Sequence, residues 1–243
     1  MNKKLLITRP LIDSITTKKK FEMIGIPSTI FPFIEIVTYN GIQIPKKDYE
    51  LIIFTSKNAA RLFHKNDFEN ITVFSIGDGT FEILKEKKYL KLHNSFGNSK
   101  NIISLFIKVF KDRKINILHP CGKNISMELQ SYFSNQGSKY EKLPIYEVKE
   151  KKININNFVD SFWSTTKYLT LYSPNTAKIF KKIIKKNSLI ESCKQRILFV
   201  LSEQVKAALN GLNFEKIYVS TKPSEKSLIE LVQRVYFEGE LIG

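Results

Sequence analysis

The sequence predicts an α/β fold in which one unit of alternating strands and helices occurs twice. Nine short apolar runs are dominated by β-branched and aromatic residues without strict alternation, as in parallel strands that are buried on both faces. Helical patterns follow most of these runs, which is typical of layered α/β proteins. A similar pattern also returns more than a hundred residues later, which indicates an internal repeat.

The apolar runs give the predicted strands in chain order. They are residues 5–8, 28–33, 51–55, 71–76, 115–119, 142–146, 168–173, 196–201 and 216–220. Helices are predicted between them, for example in SKNAARLF at 56–63 and SEQVKAALNG at 202–211. Gly211 ends the second of these patterns, at a position where a helix C-cap commonly lies.

Matched segments carry the internal repeat. FTSKNAARLF at 54–63 matches LYSPNTAKIF at 171–180, a spacing of 117, and Ser99 matches Ser224 at a spacing of 125. The spacing grows in steps between matched segments, as loop insertions would produce. Repetition alone therefore predicts a tandem arrangement whose second copy begins near Lys114.

Both copies place hydroxyl and amide side chains where a strand ends and a helix begins. In open parallel sheets ligands bind beyond the carboxyl ends of the strands, where helix N-termini offer unpaired N–H groups. The same residue types are also common helix N-caps, each of which contributes about 1 kcal/mol to stability. Both interpretations stay open for Thr55, Ser56, Ser173, Asn175 and Thr176, and Asn58 matches Asn175 in the repeat.

Three further segments carry candidate chemistry. In SIGDGT, Gly77 allows close backbone approach and Thr80 could bind an anion, although a tight turn explains the same residues. In HPCGKN, Cys121 beside Gly122 could be an acidified thiol, but no partner His and Asn can be assigned. Tyr146 in LPIYEV is either a packed aromatic residue or a phenol that donates a proton to a leaving hydroxyl.

Composition limits the functional classes. The 243 residues include 39 Lys and Arg against 23 Asp and Glu, and the net charge of +16 favours a polyanionic partner. A general enrichment in Lys explains the charge equally well.

The two cysteines lie far apart and the three histidines lack metal-ligand spacing, so we expect buried free thiols and no metal site. Because no segment resembles a signal peptide or a membrane span, we expect a cytoplasmic protein.

The ordered motifs resemble those of the uroporphyrinogen-III synthase family. The resemblance covers nearly the whole chain and rests on LLITRP, LIIFTSKNAARLF, SIGDGT, HPCGKN, LPIYEV, LYSPNTAKIF and STKPSEKSLIELV. It implies two similar parallel-sheet α/β domains, joined by a two-stranded connection, with a cleft between them. One domain would comprise residues 1–36 and 149–243 and the other residues 40–145, with connections near 34–37 and 145–148.

The resemblance also implies an activity. Members of the family cyclise hydroxymethylbilane, a linear tetrapyrrole with carboxylates on every ring, with loss of water and inversion of ring D, in heme biosynthesis. They use no metal or organic cofactor. By position, Tyr146 matches the family tyrosine proposed as the acid, and Ser56, Thr80 and Ser173 match hydroxyls that face the cleft. The predicted substrate-binding residues are Arg9, Thr55, Ser56, Asn58, Gly77, Thr80, Cys121, Gly122, Ser173, Asn175, Thr176, Ser202 and Gln204.

The chain departs from the family pattern at two places, and its architecture and charge are compatible with two other functions. Residues 201–205 replace the glycine turn expected in the second copy, and Ser126 stands near the place of a basic residue. The first alternative is a non-catalytic two-domain protein that binds a small anion or nucleotide. The second is nucleic-acid binding, but no basic stripe is interleaved with exposed aromatic residues. We expect a monomer with a small-molecule substrate and without nucleic-acid or membrane partners.

Overall fold

Two parallel-dominated sheets flanked by helices form the mixed α/β architecture of the protein. The computed structural model describes residues 4–44, 48–64, 68, 70–96, 99–111, 113–125 and 128–239. The chain divides into two compact units. Unit 1 comprises Met1–Glu35 and Lys149–Gly243, and unit 2 comprises Ile36–Val148.

Strands and helices alternate along most of the chain. The strands are β1 (Lys4–Ile7), β2 (Ser28–Ile30), β3 (Ile34–Thr38), β4 (Leu51–Phe54), β5 (Thr72–Ser75), β6 (Lys91–Asn94), β7 (Asn116–Gly122), β8 (Lys139–Glu150), β9 (Thr166–Leu171), β10 (Ile197–Val200) and β11 (Lys216–Val219). The helices are α1 (Leu11–Met23), α2 (Lys57–Leu62), α3 (Asp78–Glu86), α4 (Ser99–Phe110), α5 (Glu128–Asn135), α6 (Ile155–Asn157), α7 (Pro174–Lys186), α8 (Ile190–Cys193), α9 (Glu203–Ala207) and α10 (Glu225–Glu238), with a π-helical segment at Phe158–Trp163.

The two copies of the repeat exchange strands between the sheets. One sheet has the order β11-β10-β9-β1-β2, and the other has the order β3-β8-β7-β4-β5-β6. Strands β1 and β2 of the first copy therefore lie beside β9 to β11 of the second copy. Strands β7 and β8 of the second copy lie beside β4 to β6 of the first. The tandem boundary predicted near Lys114 falls inside unit 2 and is not a boundary between compact units.

Burial on both faces explains why the strands lack strict alternation. In β1, Leu5 and Ile7 pack in one apolar cluster with Phe199, whereas Leu6 packs in another with Leu198. Successive side chains of a strand point to opposite faces, so both faces of this sheet are covered. Each fully buried side chain of this size contributes about 1.5–3 kcal/mol through removal of apolar surface from water.

The nine strands predicted from apolar runs are all present, β3 lies where the resemblance implies a connecting strand near 34–37, and β6 is additional. The sequence of β6, KLHN, is polar, and this segment is a strand because it pairs in parallel with β5 at the sheet edge. The helix predicted at 202–211 ends at Ala207, and Gly211 adopts a φ of +84° in the turn that follows. Cys121 and Cys193 are buried free thiols, as predicted.

Candidate functional site

The predicted site residues lie near the carboxyl ends of strands in both units, apart from Tyr146 within β8. Unit 1 holds Arg9, Ser173, Asn175, Thr176, Ser202 and Gln204, and unit 2 holds Thr55, Ser56, Asn58, Gly77, Thr80, Cys121, Gly122 and Tyr146. Ser126 lies outside the described residues. Within the part of the chain that the structure describes, no group of three or more His, Cys, Asp or Glu residues could hold a metal ion.

A hydrogen bond joins Ser56 to Tyr146 in unit 2. Ser56 follows β4 and is the N-cap of α2, where its Oγ accepts a hydrogen bond from the backbone N–H of Asn58 at 3.1 Å. The same Oγ lies 2.8 Å from the hydroxyl oxygen of Tyr146. Since Oγ already accepts from the amide, its own hydrogen can be donated to Tyr146. That arrangement leaves the phenolic O–H of Tyr146 able to donate to a ligand.

The environment of Tyr146 keeps its hydroxyl protonated. Burial raises the pKa of Tyr146 above the ordinary value and outweighs the opposing effect of its hydrogen bonds with Ser56 and Asn58. The residue is 6% exposed. Its ring packs over Gly122, where an added Cβ would lie 3.0 Å from the ring carbon Cζ. The missing side chain at Gly122 therefore leaves room for the Tyr146 ring.

A second hydrogen-bonded chain lies beside the first and includes two residues that the sequence did not single out. The Thr55 hydroxyl lies 3.0 Å from Nε2 of His119, and Nδ1 of His119 lies 2.5 Å from the Tyr140 hydroxyl. His119 is 2% exposed. Burial, together with the charge of Lys142, lowers the pKa of His119 to about 4, so its imidazole is neutral at pH 7. In the sequence, the signal for His119 was its place at the end of the apolar run at 115–119.

The SIGDGT turn has a cation beside it. Gly77 adopts a φ of +77° before α3, and the backbone N–H of Thr80 bonds to the Gly77 carbonyl at 3.1 Å. The Thr80 side chain is buried. A Cβ at Gly79 would clash with the side chain of Lys57 and would lie 2.8 Å from its Nζ. The ammonium group of Lys57 therefore lies close to the positive end of the α3 dipole, where an anion would be stabilised.

Cys121 lacks the properties of a nucleophile. The residue is 1% exposed. Burial raises the pKa of its thiol to about 11 despite the nearby charge of Lys142. A reactive cysteine needs a thiolate at neutral pH, and this one is protonated there.

In unit 1, Ser173 is the counterpart of Ser56. It is the N-cap of α7, its Oγ accepts from the backbone N–H of Thr176 at 3.1 Å, and the two hydroxyl oxygens lie 2.9 Å apart. Asn175 and Gln204 are exposed. Ser202 precedes α9 without making a side-chain capping bond. Capping is thus confirmed for Ser56 and Ser173, whereas Thr55, Asn175 and Thr176 are not the N-cap residues of α2 or α7.

The Arg9 side chain is largely committed within unit 1. Its guanidinium donates to Glu225 at 2.5 Å and to Thr17 at 2.9 Å, and it lies 4.5 Å from the centre of the Tyr172 ring. The side chain is 11% exposed. A substrate contact by Arg9 stays a prediction, since its donors already serve to anchor α10 to the end of β1.

The Ser173→Ala substitution should separate capping from substrate binding. We expect the free energy of unfolding to fall by about 1 kcal/mol, measured by urea denaturation, because the N-cap bond is lost. Ser173→Asp should restore the cap and the stability. The added carboxylate should also repel the carboxylate-rich substrate that the resemblance implies, so KM should rise in the Asp variant. A normal KM for Ser173→Asp would limit Ser173 to capping.

A basic pocket of about 410 Å³ lies elsewhere in unit 1, between the end of β8 and α7. Four lysines line it, Lys151, Lys152, Lys182 and Lys186, and Lys182 is bonded to Glu150 at 2.8 Å. None of the predicted site residues lines this pocket. The pocket lies at the C-terminal end of α7, whereas Ser173 is at its N-terminal end.

Comparisons with known proteins identify the family. The family described as uroporphyrinogen-III synthase HemD matches residues 16–230, which is most of the chain. The chain belongs to this family. Uroporphyrinogen-III synthases are lyases of heme biosynthesis, and the family assignment confirms the resemblance noted in the motifs. A search of curated proteins finds no match.

Two solved structures of uroporphyrinogen-III synthases share the fold. The uroporphyrinogen-III synthetase of Helicobacter pylori is 18% identical, with a TM-score of 0.64 over 96% of this chain and 99% of that chain. A mutant uroporphyrinogen III synthase of Thermus thermophilus is 13% identical, with a TM-score of 0.56 over 97% of this chain and 99% of that chain. At these identities the likeness supports the α/β fold. Among the described residues, no helix has the length and apolarity needed to cross a membrane.

Proposed function

We propose that this member of the uroporphyrinogen-III synthase family cyclises hydroxymethylbilane with Tyr146 as the proton donor. The observation that carries the proposal is the Ser56–Tyr146 hydrogen bond of 2.8 Å. It orients a protonated phenol next to the end of β4, where α2 begins. The family assignment supports the synthase, and nothing in the comparisons favours the non-catalytic alternative.

In the proposed step, the phenolic proton of Tyr146 moves to the terminal hydroxyl of the substrate as the C–O bond breaks, and water leaves. The pyrrole nitrogen supplies the electrons, which leaves an azafulvene cation. Unassisted, this cation closes to the isomer without inversion of ring D. The protein must therefore hold a folded conformation that favours the spiro route, which is catalysis through positioning. A proton released on ring closure balances the one donated.

The charge of the protein suits the substrate. A net charge of +16 attracts a molecule with carboxylates on every ring. We propose that Lys57 with the α3 turn in unit 2, and the Ser173 turn in unit 1, each bind substrate carboxylates. Ser202 and Gln204, where the glycine turn is replaced, contribute less in this scheme.

A product-isomer assay tests the proposed function. The protein is incubated with freshly made hydroxymethylbilane, the products are oxidised, and the type I and type III isomers are separated. We expect type III product above the no-enzyme control. Type I product alone would reject the synthase function. A ligand retained through purification, without type III product, would support the binding-protein alternative instead.

We further propose that the protein acts as a cytoplasmic monomer whose two domains are residues 1–36 with 149–243 and residues 40–145. The two compact units support this division. Light scattering should give a mass near 28.2 kDa.

We also propose that nucleic acid is not a partner. Steeply salt-dependent binding to DNA or RNA would contradict this part of the proposal.

A further inference from the structure

We propose that Tyr140 and His119 position Thr55 so that its hydroxyl donates a hydrogen bond to a substrate carboxylate. This inference rests on the proposed function for the identity of the ligand. The chain Tyr140–His119–Thr55 itself is a geometric feature of unit 2, with distances of 2.5 Å and 3.0 Å along it.

The three residues come from neighbouring strands and are held in place by packing. Tyr140 lies on β8, His119 on β7, and Thr55 directly after β4, and these strands are adjacent in the sheet. The Tyr140 ring stacks on Phe133 with a centroid distance of 5.6 Å and an interplanar angle of 12°. His119 is buried between its two partners. Such packing restricts the imidazole to one orientation.

The direction of the hydrogen bonds follows from the chemistry of the groups. A neutral imidazole donates from one nitrogen and accepts at the other. If Nε2 carries the hydrogen, Tyr140 donates to Nδ1, His119 donates to Thr55, and the Thr55 hydrogen is available to a ligand. If Nδ1 carries it, Thr55 must donate to His119 and presents only lone pairs to a ligand.

Two arguments favour the first direction. The phenol is the more acidic of the two hydroxyls, so it is the better donor to the imidazole lone pair. In the second direction the Tyr140 hydrogen would need another acceptor, and among the described residues the structure gives its hydroxyl no partner except His119. Leaving a polar hydrogen unpaired in a mostly buried place costs about 1–3 kcal/mol.

Thr55 and Ser56, which follow each other at the end of β4, determine what kind of ligand group can bind there. Thr55 and Ser56 each belong to a hydrogen-bonded chain, and in each chain a hydroxyl hydrogen is left to donate outward. Ionised carboxylates accept hydrogen bonds and cannot donate them. The Thr55 hydroxyl therefore suits a carboxylate of the substrate, whereas the outward donor of the second chain is the Tyr146 hydroxyl, which acts on the leaving hydroxyl in the proposed function.

The Tyr140→Phe substitution tests the positioning role. The ring and its stacking on Phe133 stay, but the donor to His119 is lost. We expect KM for hydroxymethylbilane to rise about three- to tenfold, the loss typical of one weakened hydrogen bond to a charged group, with kcat within about twofold. Tyr132→Phe is the matched control. The Tyr132 ring also contacts Phe133, with a centroid distance of 5.3 Å, but Tyr132 takes no part in the hydrogen bonds that join Tyr140, His119 and Thr55.

The same substitution in a Thr55→Val background shows whether Tyr140 acts through Thr55. With the Thr55 hydroxyl removed, Tyr140→Phe should change KM no further. An equal rise in both backgrounds, or no rise in the first, would overturn the proposal. A general loss of structure would instead affect both backgrounds and lower the unfolding midpoint.

The tautomer of His119 can be measured without activity. Nitrogen-15 NMR of the histidine side chains, with His119 assigned by its absence in His119→Gln, should show a neutral ring protonated at Nε2. A ring protonated at Nδ1, or a charged ring at pH 7, would overturn the proposal. If the isomer assay fails but the Nε2 tautomer is observed, the proposed function is wrong and the hydrogen-bonded chain still stands.

Discussion

Tyr146→Phe should lower kcat for uroporphyrinogen III formation by about a hundredfold or more, the contribution typical of a positioned proton donor. The substitution removes the hydroxyl that Ser56 orients and keeps the ring over Gly122. KM should change little, because the phenol acts on the leaving hydroxyl and not on the carboxylates. Stopped assays with isomer separation measure both constants.

Ser56→Ala is the companion variant to Tyr146→Phe. It removes the hydrogen bond that orients the phenol but leaves the phenolic proton in place, so its loss in kcat should be smaller. It should also lower the free energy of unfolding by about 1 kcal/mol, because Ser56 caps α2. Unchanged kcat in Tyr146→Phe, with an intact fold by circular dichroism, would remove Tyr146 from the mechanism.

Glu225→Gln should lower the free energy of unfolding at pH 7 by about 3 kcal/mol, because, among the described residues, the largely buried Arg9 then keeps only the more distant carboxylate of Asp13, at 3.8 Å, as its anion. The carboxylate of Glu225 lies 2.5 Å from both Arg9 and Lys20 and accepts from Thr17 at 2.6 Å. Its side chain is 18% exposed. Removing the charge leaves the largely buried Arg9 without its main partner.

The difference in unfolding free energy between Glu225→Gln and the unsubstituted protein should disappear in acid. Burial alone would raise the pKa of Glu225, but the hydrogen bonds from Lys20 and Thr17 and the charges of Arg9 and Lys20 outweigh burial and lower it to about 2. A carboxyl with a depressed pKa stabilises the folded state above its ordinary pKa near 4.5, and this contribution is lost as the pH falls towards 2. The two proteins should therefore converge between about pH 5 and pH 2.

Urea unfolding at pH 7, 5, 4 and 3 measures this convergence. Glu230→Gln is the control on the same helix, because its ion pair with Lys226 is 4.0 Å long and solvent-exposed. Exposed pairs contribute little, so its stability should follow that of the unsubstituted protein. A constant difference between Glu225→Gln and the unsubstituted protein across this pH range would contradict the assigned role of Glu225.

Local sequence patterns were sufficient for most of the fold. Runs such as LIIF in β4 and ILFV in β10 are buried at every position, and their residue types favour strands wherever the chain places them. Segment β6 was missed because its sequence, KLHN, has no such preference. Pairing with β5 at a sheet edge makes it a strand, and pairing is a property of the tertiary structure.

In the candidate site too, local features were predictable from the sequence and long-range contacts were not. Ser56 and Ser173 were identifiable because an N-cap bonds to an amide two or three residues away, so the interaction is local. His119 was not assigned a role, because Thr55 and Tyr140 lie 64 and 21 residues from it. Spacing rules for histidine sites describe neighbouring residues and carry no signal for contacts across a sheet.

The sequence by itself determined that the protein is α/β, that its unit occurs twice, and where hydroxyl groups end the strands. The resemblance implied that residues 1–36 join residues 149–243, but the hydrophobic pattern and the repeat did not, and the tertiary structure shows β1 and β2 beside the later strands β9 to β11 and not beside β4. Strands β4 and β9 are both apolar, and by pattern β1 and β7 each suit either neighbour. Strand order therefore depends on long-range packing and on the paths of the connections, which hydrophobic periodicity does not encode.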